Sequence, residues 1–135
     1  MREPNWMPLR AVIAIHRELI DEHGGLLGPP RLPQLESVLA RPRQLLVYAE
    51  EVPSVPRLAA SLGHGLAKGH CFPDGNKRIA LAAIDVFLQL NGLELTASEE
   101  DAVLAILALS SGELDETGLA EWISAQSAPI PDDMD

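Results

Sequence analysis

Nine consecutive residues, His70-Cys71-Phe72-Pro73-Asp74-Gly75-Asn76-Lys77-Arg78, hold most of this chain's capacity for chemistry. Histidine exchanges a proton near neutral pH, which makes His70 a candidate general base. Asp74 sets a carboxylate among cations, the usual way to hold Mg²⁺ beside phosphates. Gly75 permits a tight backbone, and a helix resuming near Asn76 or Lys77 would point the amides from Gly75 to Arg78 outward. Unpaired N–H groups at the positive end of a helix dipole form an anion site. Lys77 and Arg78 add two full charges there, and arginine can grip phosphate oxygens through two parallel bonds. Each residue also has a plainer reading. His70 could cap a helix C-terminus, Asp74 could be a turn or N-cap aspartate, and Lys77 and Arg78 could be solvated charges at an exposed helix start. Phe72 reads as the anchor that fixes the loop in the core. Cys71 reads as a small filler, because no second nucleophilic constellation surrounds it.

The elements that must position this loop are helices. Leu9, Val12, Ile13, His16, Leu19 and Ile20 recur at helical spacing, and Gly24-Gly25 stops that helix. His16 lies on the apolar stripe, where a hydrogen-bonded structural histidine is the favoured reading over a catalytic one. A short helix is expected around Gln34 to Leu39, followed by an irregular stretch from Arg41 to Pro53. Within that stretch Leu45-Leu46-Val47-Tyr48 has the β-propensity of a flap. Ser54 before Pro56 starts a helix with the stripe Val55, Leu58, Ala59, Leu62 and Leu66, which breaks at Gly69. His64 falls on its polar side and is expected to be exposed. The helix from Asn76 or Lys77 to Leu90 is apolar almost all round, so it is expected to be the buried central helix, with Arg78, Asp85 and Gln89 as its one polar line. Thr96 with Glu99 reads as a capping box opening a helix through Leu109, and Asp115 starts a last helix carrying Trp122 and Ile123. Trp6 and Trp122 read as core or edge anchors. The expected fold is all-α, a bundle of about six helices around the buried one, in a single domain over residues 1–127. Residues 128–135 read as a disordered acidic tail.

Composition narrows the class further. At 135 residues the chain can bury one compact core, and with only 4% aromatic residues that core must be built from Leu, Ala, Val and Ile. A single cysteine forbids an intrachain disulfide, and no apolar run spans a membrane or forms a signal segment, so a cytoplasmic protein is expected. The net charge of −10 is unevenly placed. All ten Lys and Arg residues lie at or before Arg78, whereas twelve acidic residues and no Lys or Arg follow it. That balance disfavours DNA as a direct partner and leaves a basic polypeptide as one option, simple solubility as the other.

The loop resembles the Fic signature, H-x-F-x-[DE]-[GA]-N, and more closely its death-on-curing (Doc) form, which continues with Lys-Arg. The likeness continues through Ile15-His16, Glu22-His23-Gly24-Gly25, Leu35-Glu36-Ser37-Val38-Leu39 with Pro42, Phe87-Leu88-Gln89-Leu90-Asn91-Gly92 and Trp122, covering roughly residues 9–125. The resemblance implies that His70 deprotonates a target hydroxyl and that Asp74 binds Mg²⁺. It implies an anion-cradling turn at Gly75 and Asn76, and phosphate contacts from Lys77 and Arg78. AMP-transferring relatives usually carry Gly where this chain has Lys77 and a further Arg where it has Leu81. Members with Asn-Lys-Arg bind the nucleotide in the reversed sense. The resemblance therefore implies a protein kinase that moves the γ-phosphate of ATP, with a threonine of elongation factor Tu as the family target and translation arrest as the result. It also implies a type II toxin restrained in trans by a Phd-like antitoxin, because the self-inhibitory pattern [ST]-x-x-x-E-[GN] is missing from the sequence. A nucleotide-transferase and a catalytically silent anion- or partner-binding module are the competing readings. Intact His70 and Asp74 argue against the second.

Overall fold

The computed structural model describes residues 3–131. Six helices follow one another: α1 (Leu9–His23), α2 (Leu32–Tyr48), α3 (Val55–Lys68), α4 (Asn76–Leu90), α5 (Glu99–Ser111) and α6 (Glu116–Ala125). Two three-residue strands, β1 (Leu93–Leu95) and β2 (Ser127–Pro129), form a small antiparallel pair with Leu93 opposite Pro129. The expected all-α class holds, with this pair as its one addition.

The core is centred on two helices. α4 buries Ile79, Ala80, Ala83, Ile84, Phe87 and Leu88, as its all-round apolar pattern requires. α3 is buried still more completely, from Leu58 to Gly63 and again at Gly65 and Leu66. Its stripe looked narrower in the sequence because Ala59, Ala60, Ser61, Gly63 and Gly65 add little hydrophobicity. What they contribute is closeness. A Cβ at Gly63 would collide with the Ile84 side chain, and one at Gly65 would meet Val38 Cγ1 at 2.7 Å. α3 thus packs against α2, α4, α5 and α6, and α4 packs in turn against α1, α5 and β1.

Three local expectations are corrected. The irregular stretch and β-prone flap from Arg41 are instead the second half of α2, which runs unbroken through Pro42 to Tyr48. Proline there removes one intrahelical bond, but Leu35, Val38 and Pro42 all face the core and hold the helix together. The capping box is displaced by two residues. Ser98 is the N-cap of α5 and its Oγ accepts from the Asp101 amide, while the Thr96 amide extends the strand pair to the Gln126 carbonyl at 2.7 Å. The tail is ordered where the structure describes it. Ala128 and Pro129 pair with Glu94 and Leu93, and the Ile130 amide donates to the Gly92 carbonyl. Residues 132–135 of the expected tail lie outside the described residues.

His64, expected on an exposed face, sits instead in a half-buried charge cluster joining α2, α3 and α6. Glu116 accepts from Arg41 at 2.6 Å and from Arg57 at 2.8 Å, and Arg41 also donates to the Ser61 carbonyl. His64 Nδ1 lies 3.3 Å from Glu116 and 3.4 Å from Arg41 Nη1. Burial lowers the His64 pKa against the pull of Glu116, and Arg41, Lys68 and Arg57 lower it further. The neutral ring is thereby favoured, and its Nδ1 stands between the Arg41 donor and the Glu116 carboxylate. Burial by itself would raise the Glu116 pKa, but hydrogen bonds from Arg57 and Arg41 outweigh it and hold the carboxyl below the ordinary glutamate value.

A carboxylate with a depressed folded-state pKa stabilises the fold above its unfolded pKa, and that contribution is lost as pH falls through the folded value. Glu116→Gln should cost about 1–2 kcal/mol at neutral pH, below the range for fully buried pairs because the cluster is partly solvated. It should also flatten the acid side of the stability profile below the ordinary glutamate pKa. Urea unfolding across pH 3–7 measures both, and an unchanged acid slope would remove Glu116 from the account.

Candidate active site

The chain between α3 and α4 is anchored at almost every residue except His70. The Gly69 carbonyl accepts from Gln34 Nε2 at 3.1 Å, and the Cys71 carbonyl accepts from the Arg31 amide at 2.8 Å. Between these two ties His70 takes a left-handed backbone, φ +50°, with its side chain exposed. A non-glycine residue held at positive φ is a strained position that the neighbours must enforce. Cys71 is fully buried and burial raises its thiol pKa, which fits the filler role read from the sequence.

Phe72 is the anchor. It is buried, and its ring lies on His16 with centroids 3.7 Å apart and planes 13° from parallel. The Asn76 side chain closes the loop around it, with Oδ1 accepting from the Phe72 amide and Nδ2 donating to the Phe72 carbonyl. The expectation that Asn76 cradles an anion is narrowed accordingly: its side chain is committed to Phe72, and only its backbone N–H is left for a ligand. His16 is 2% exposed, and its Nε2 lies 2.7 Å from the Asp74 carbonyl oxygen. A carbonyl can only accept, so Nε2 carries the proton and donates. The structural reading of His16 is the one the contacts support.

Gly75 is the N-cap of α4 at φ +78°, and a Cβ there would press on Ile20 Cδ1 at 3.1 Å and His16 Nε2 at 3.4 Å. Glycine is needed for the backbone angle and for the space. Having no side chain, it leaves the first turn of α4 uncapped, so the amides of Asn76, Lys77 and Arg78 have no intrahelical acceptor. These amides, with His70, Asp74, Lys77 and Arg78, line a cavity of about 340 Å³. Asp74 Oδ2 accepts from the Leu26 amide at 3.0 Å and Oδ1 from the Gly75 amide at 2.8 Å. These two bonds, in that order, hold its pKa below the ordinary aspartate value, with Arg78 adding to them. Arg78 Nη1 donates to the Gly24 carbonyl at 2.7 Å. Asp85 and Gln89, on the same polar line of α4, make no hydrogen bond to it among the described residues.

All seven loop residues singled out in the sequence therefore meet around one cavity or its support. Sequence reasoning did not find the contribution of the α1–α2 connection. Gly24, Leu26 and Arg31 act through backbone atoms that carry no residue-type signal, and Gly25 sits where a Cβ would meet Asp74 Oδ2 at 2.8 Å. The one available signal was His16, a polar residue on an apolar stripe. Tyr48, the last residue of the expected flap, lies at the end of α2 and is 82% exposed. Among the described residues no group of three or more His, Cys, Asp or Glu side chains is arranged to hold a metal, and no helix is long and apolar enough to cross a membrane.

His16→Phe keeps a ring on Phe72 but removes the donor to Asp74. It should lower stability by about 1–3 kcal/mol through the unsatisfied buried carbonyl and weaken inorganic tripolyphosphate binding at the loop. Thermal unfolding and calorimetric titration check this. Wild-type values for both would show that the bond does not hold the loop.

The sequence profile of the Fic/DOC family matches residues 6–88, which include His16 and the whole loop. The protein kinase doc of Escherichia phage P1 is 33% identical over 112 residues, spanning 83% of this chain and 87% of that protein. Toxin Doc of Mycolicibacterium smegmatis (strain ATCC 700084 / mc(2)155) is 40% identical over 63 residues, 47% of this chain and 48% of the relative. With the profile covering more than half of the chain and the loop that carries its signature built as described, the chain belongs to the death-on-curing branch of the Fic/DOC family.

Proposed function

We propose that this chain is a toxin that transfers the γ-phosphoryl group of ATP to a serine or threonine hydroxyl of a protein. The observation that carries the reading is the convergence of His70, Asp74, Lys77, Arg78 and the uncapped first turn of α4 on one cavity. Phosphoryl transfer asks a protein mainly for positioning and for neutralised charge. The amides and cations receive the phosphate oxygens, and His70, exposed at the rim, takes the proton of the attacking hydroxyl. The names of the two relatives, a protein kinase and a toxin, support the same activity.

Asp74 fits a role as Mg²⁺ ligand. Each of its oxygens accepts a single amide, which leaves a lone pair on each, and the carboxyl is held ionised. With no further acidic ligands grouped around it, the ion would be shared with phosphate oxygens and water, as Mg²⁺ prefers. When bound, Mg²⁺ would neutralise charge on the transferred group. ATP is then the donor substrate and Mg²⁺ the cofactor. Elongation factor Tu is the proposed acceptor, with translation arrest as the consequence. Leu81 stands where a self-inhibitory glutamate would need an arginine, so a separate Phd-like antitoxin is the proposed restraint, making this a type II toxin–antitoxin pair.

Purified chain, Mg²⁺ and a bacterial lysate incubated in parallel with γ-labelled and α-labelled ATP test the reading. Label on a protein band from the γ position alone is expected, and a band of elongation-factor size would identify the acceptor. His70→Ala should lower the rate by about 100- to 10,000-fold, the usual contribution of a general base, with its unfolding midpoint unchanged. Label from the α position would make the chain a nucleotide-transferase. Lys77→Gly should weaken γ transfer; wild-type rates in that variant would remove Lys77 from the phosphate site.

A further inference from the structure

The anion cavity opens into a wider groove of about 730 Å³, and Ala67, His70 and Lys77 line both. Lys68, the last residue of α3, also lines the groove, and α5 supplies Leu104, Leu107, Ala108 and Ser111. Arg78, about 100° round α4 from Lys77, opens away from it, beside Leu81 and Asp85. The four α5 residues fall at i, i+3, i+4 and i+7, so they form one stripe of that helix. α5 buries a different stripe, Ala102, Ala105, Ile106 and Leu109. It therefore carries a second apolar face with no partner among the described residues: Leu104 is 62% exposed and Leu107 46%. An exposed apolar patch rimmed by polar residues marks a place where another molecule docks. Leu104 and Ser111 are two turns apart, about 10 Å by helical rise, which matches about three residues of extended chain.

Charge selects among the molecules that could lie there. Lys68 and Lys77 are the only lysines of a chain with net charge −10. Both line the groove, against one carboxylate, Glu113, and neither forms an ion pair among the described residues. Lys77 also faces the phosphate cavity, but Lys68 does not line it. The Lys68 cation is therefore left for a group other than the one transferred.

Building on the γ-phosphoryl reading above, we infer that this groove holds the acceptor segment of the protein substrate, and that Lys68 and the Leu104–Leu107 face select it. A base must reach the hydroxyl it deprotonates, and the exposed His70 lines this groove. The segment that fits is extended, with an apolar side chain against Leu104 and Leu107. It carries a carboxylate paired with Lys68, within about three residues of the acceptor hydroxyl. In the step, the acceptor oxygen bonds to the γ phosphorus as its proton passes to His70. The bond from that phosphorus to the β,γ-bridging oxygen breaks, and the electron pair leaves on ADP. Lys68 touches the substrate away from the reacting atoms, so it sets specificity and not the rate of the bound complex.

The test is label transfer from γ-labelled ATP into a bacterial lysate by the full chain, with calorimetry of Mg²⁺-tripolyphosphate as the control for the phosphate cavity. Lys68→Glu should slow transfer at limiting lysate by about tenfold or more, a change of about 1.4 kcal/mol, while Lys68→Arg keeps the wild-type rate. Leu104→Ala combined with Leu107→Ala should slow it by a similar factor. Both losses should shrink as lysate is raised, with tripolyphosphate affinity unchanged. The labelled segment, recovered by mass spectrometry, should carry Asp or Glu within about three residues of the modified hydroxyl. Wild-type rates in Lys68→Glu or in the double alanine variant overturn the inference. So does a tripolyphosphate affinity that falls with the rate, which would place Lys68 at the phosphates, and so does a labelled segment with no carboxylate in reach. A concentration-dependent dimer that the double alanine variant dissolves without slowing transfer would make the α5 face a contact between copies and overturn it too. Failure of the γ-transfer reading shows instead in wild-type protein, as acceptor label from the α position; the variants keep their order there if the groove holds the acceptor.

Discussion

His16 lies in the core with its Nε2–H directed at the Asp74 carbonyl oxygen, 2.7 Å away, and its ring flat on Phe72. That contact sets the height of the loop above the helices. The Asp74 carbonyl is drawn inward, so the Asp74 carboxylate and the following amides are presented outward. Gly75 can then turn at φ +78° only because nothing larger than hydrogen has to fit against Ile20 and His16. The Asn76 side chain locks the same turn from the other side. An uncapped helix start is normally a weak point. Here the loop is rigid through its buried half, and the open amides stay aimed at the cavity.

Close packing of α3 and α4 extends this constraint. The signature loop joins these two helices, so any slack between them would move His70 relative to Lys77 and Arg78. Small residues on α3 remove the slack by letting Ile84 and Val38 sit against its backbone. The Arg41–Arg57–Glu116 cluster braces α3 against α2 and α6. The strained backbone of His70 is affordable in such a frame, since both neighbours are tied to other elements.

The charge asymmetry of the chain also gains a location. Cations end at Arg78, the third residue of α4, and the acidic half begins with the rest of that helix and α5. The border between them crosses the cavity lined by His70, Asp74, Lys77 and Arg78. Under the proposed function, the field as well as the shape of the cavity would orient a phosphorylated ligand.

Much of this was legible in the residues alone. The helix limits at Gly24, Ser54, Gly69, Asn91 and Asp115 follow from local backbone chemistry, and the nine-residue loop showed its base, carboxylate, cations and anchor by type and spacing. The sequence determined, too, that an apolar α4 would be buried. It misplaced the second half of α2, because Pro42 and the β-prone Leu45–Tyr48 segment argue locally against a helix that burial of Leu35, Val38 and Pro42 sustains. It took His64 as exposed, since the Glu116 that it approaches is far along the chain. It could not show that β2 would order residues after Ser127, because a strand of three residues exists only through its partner. Nor could it find the Leu26 and Gly24 contacts, as every residue type has a backbone amide and carbonyl. What a side chain can do is written in the sequence; which backbone groups stand beside it, and on which flank of α4 each cation opens, is decided by long-range packing that brings residues 24–31 and 99–113 to the loop.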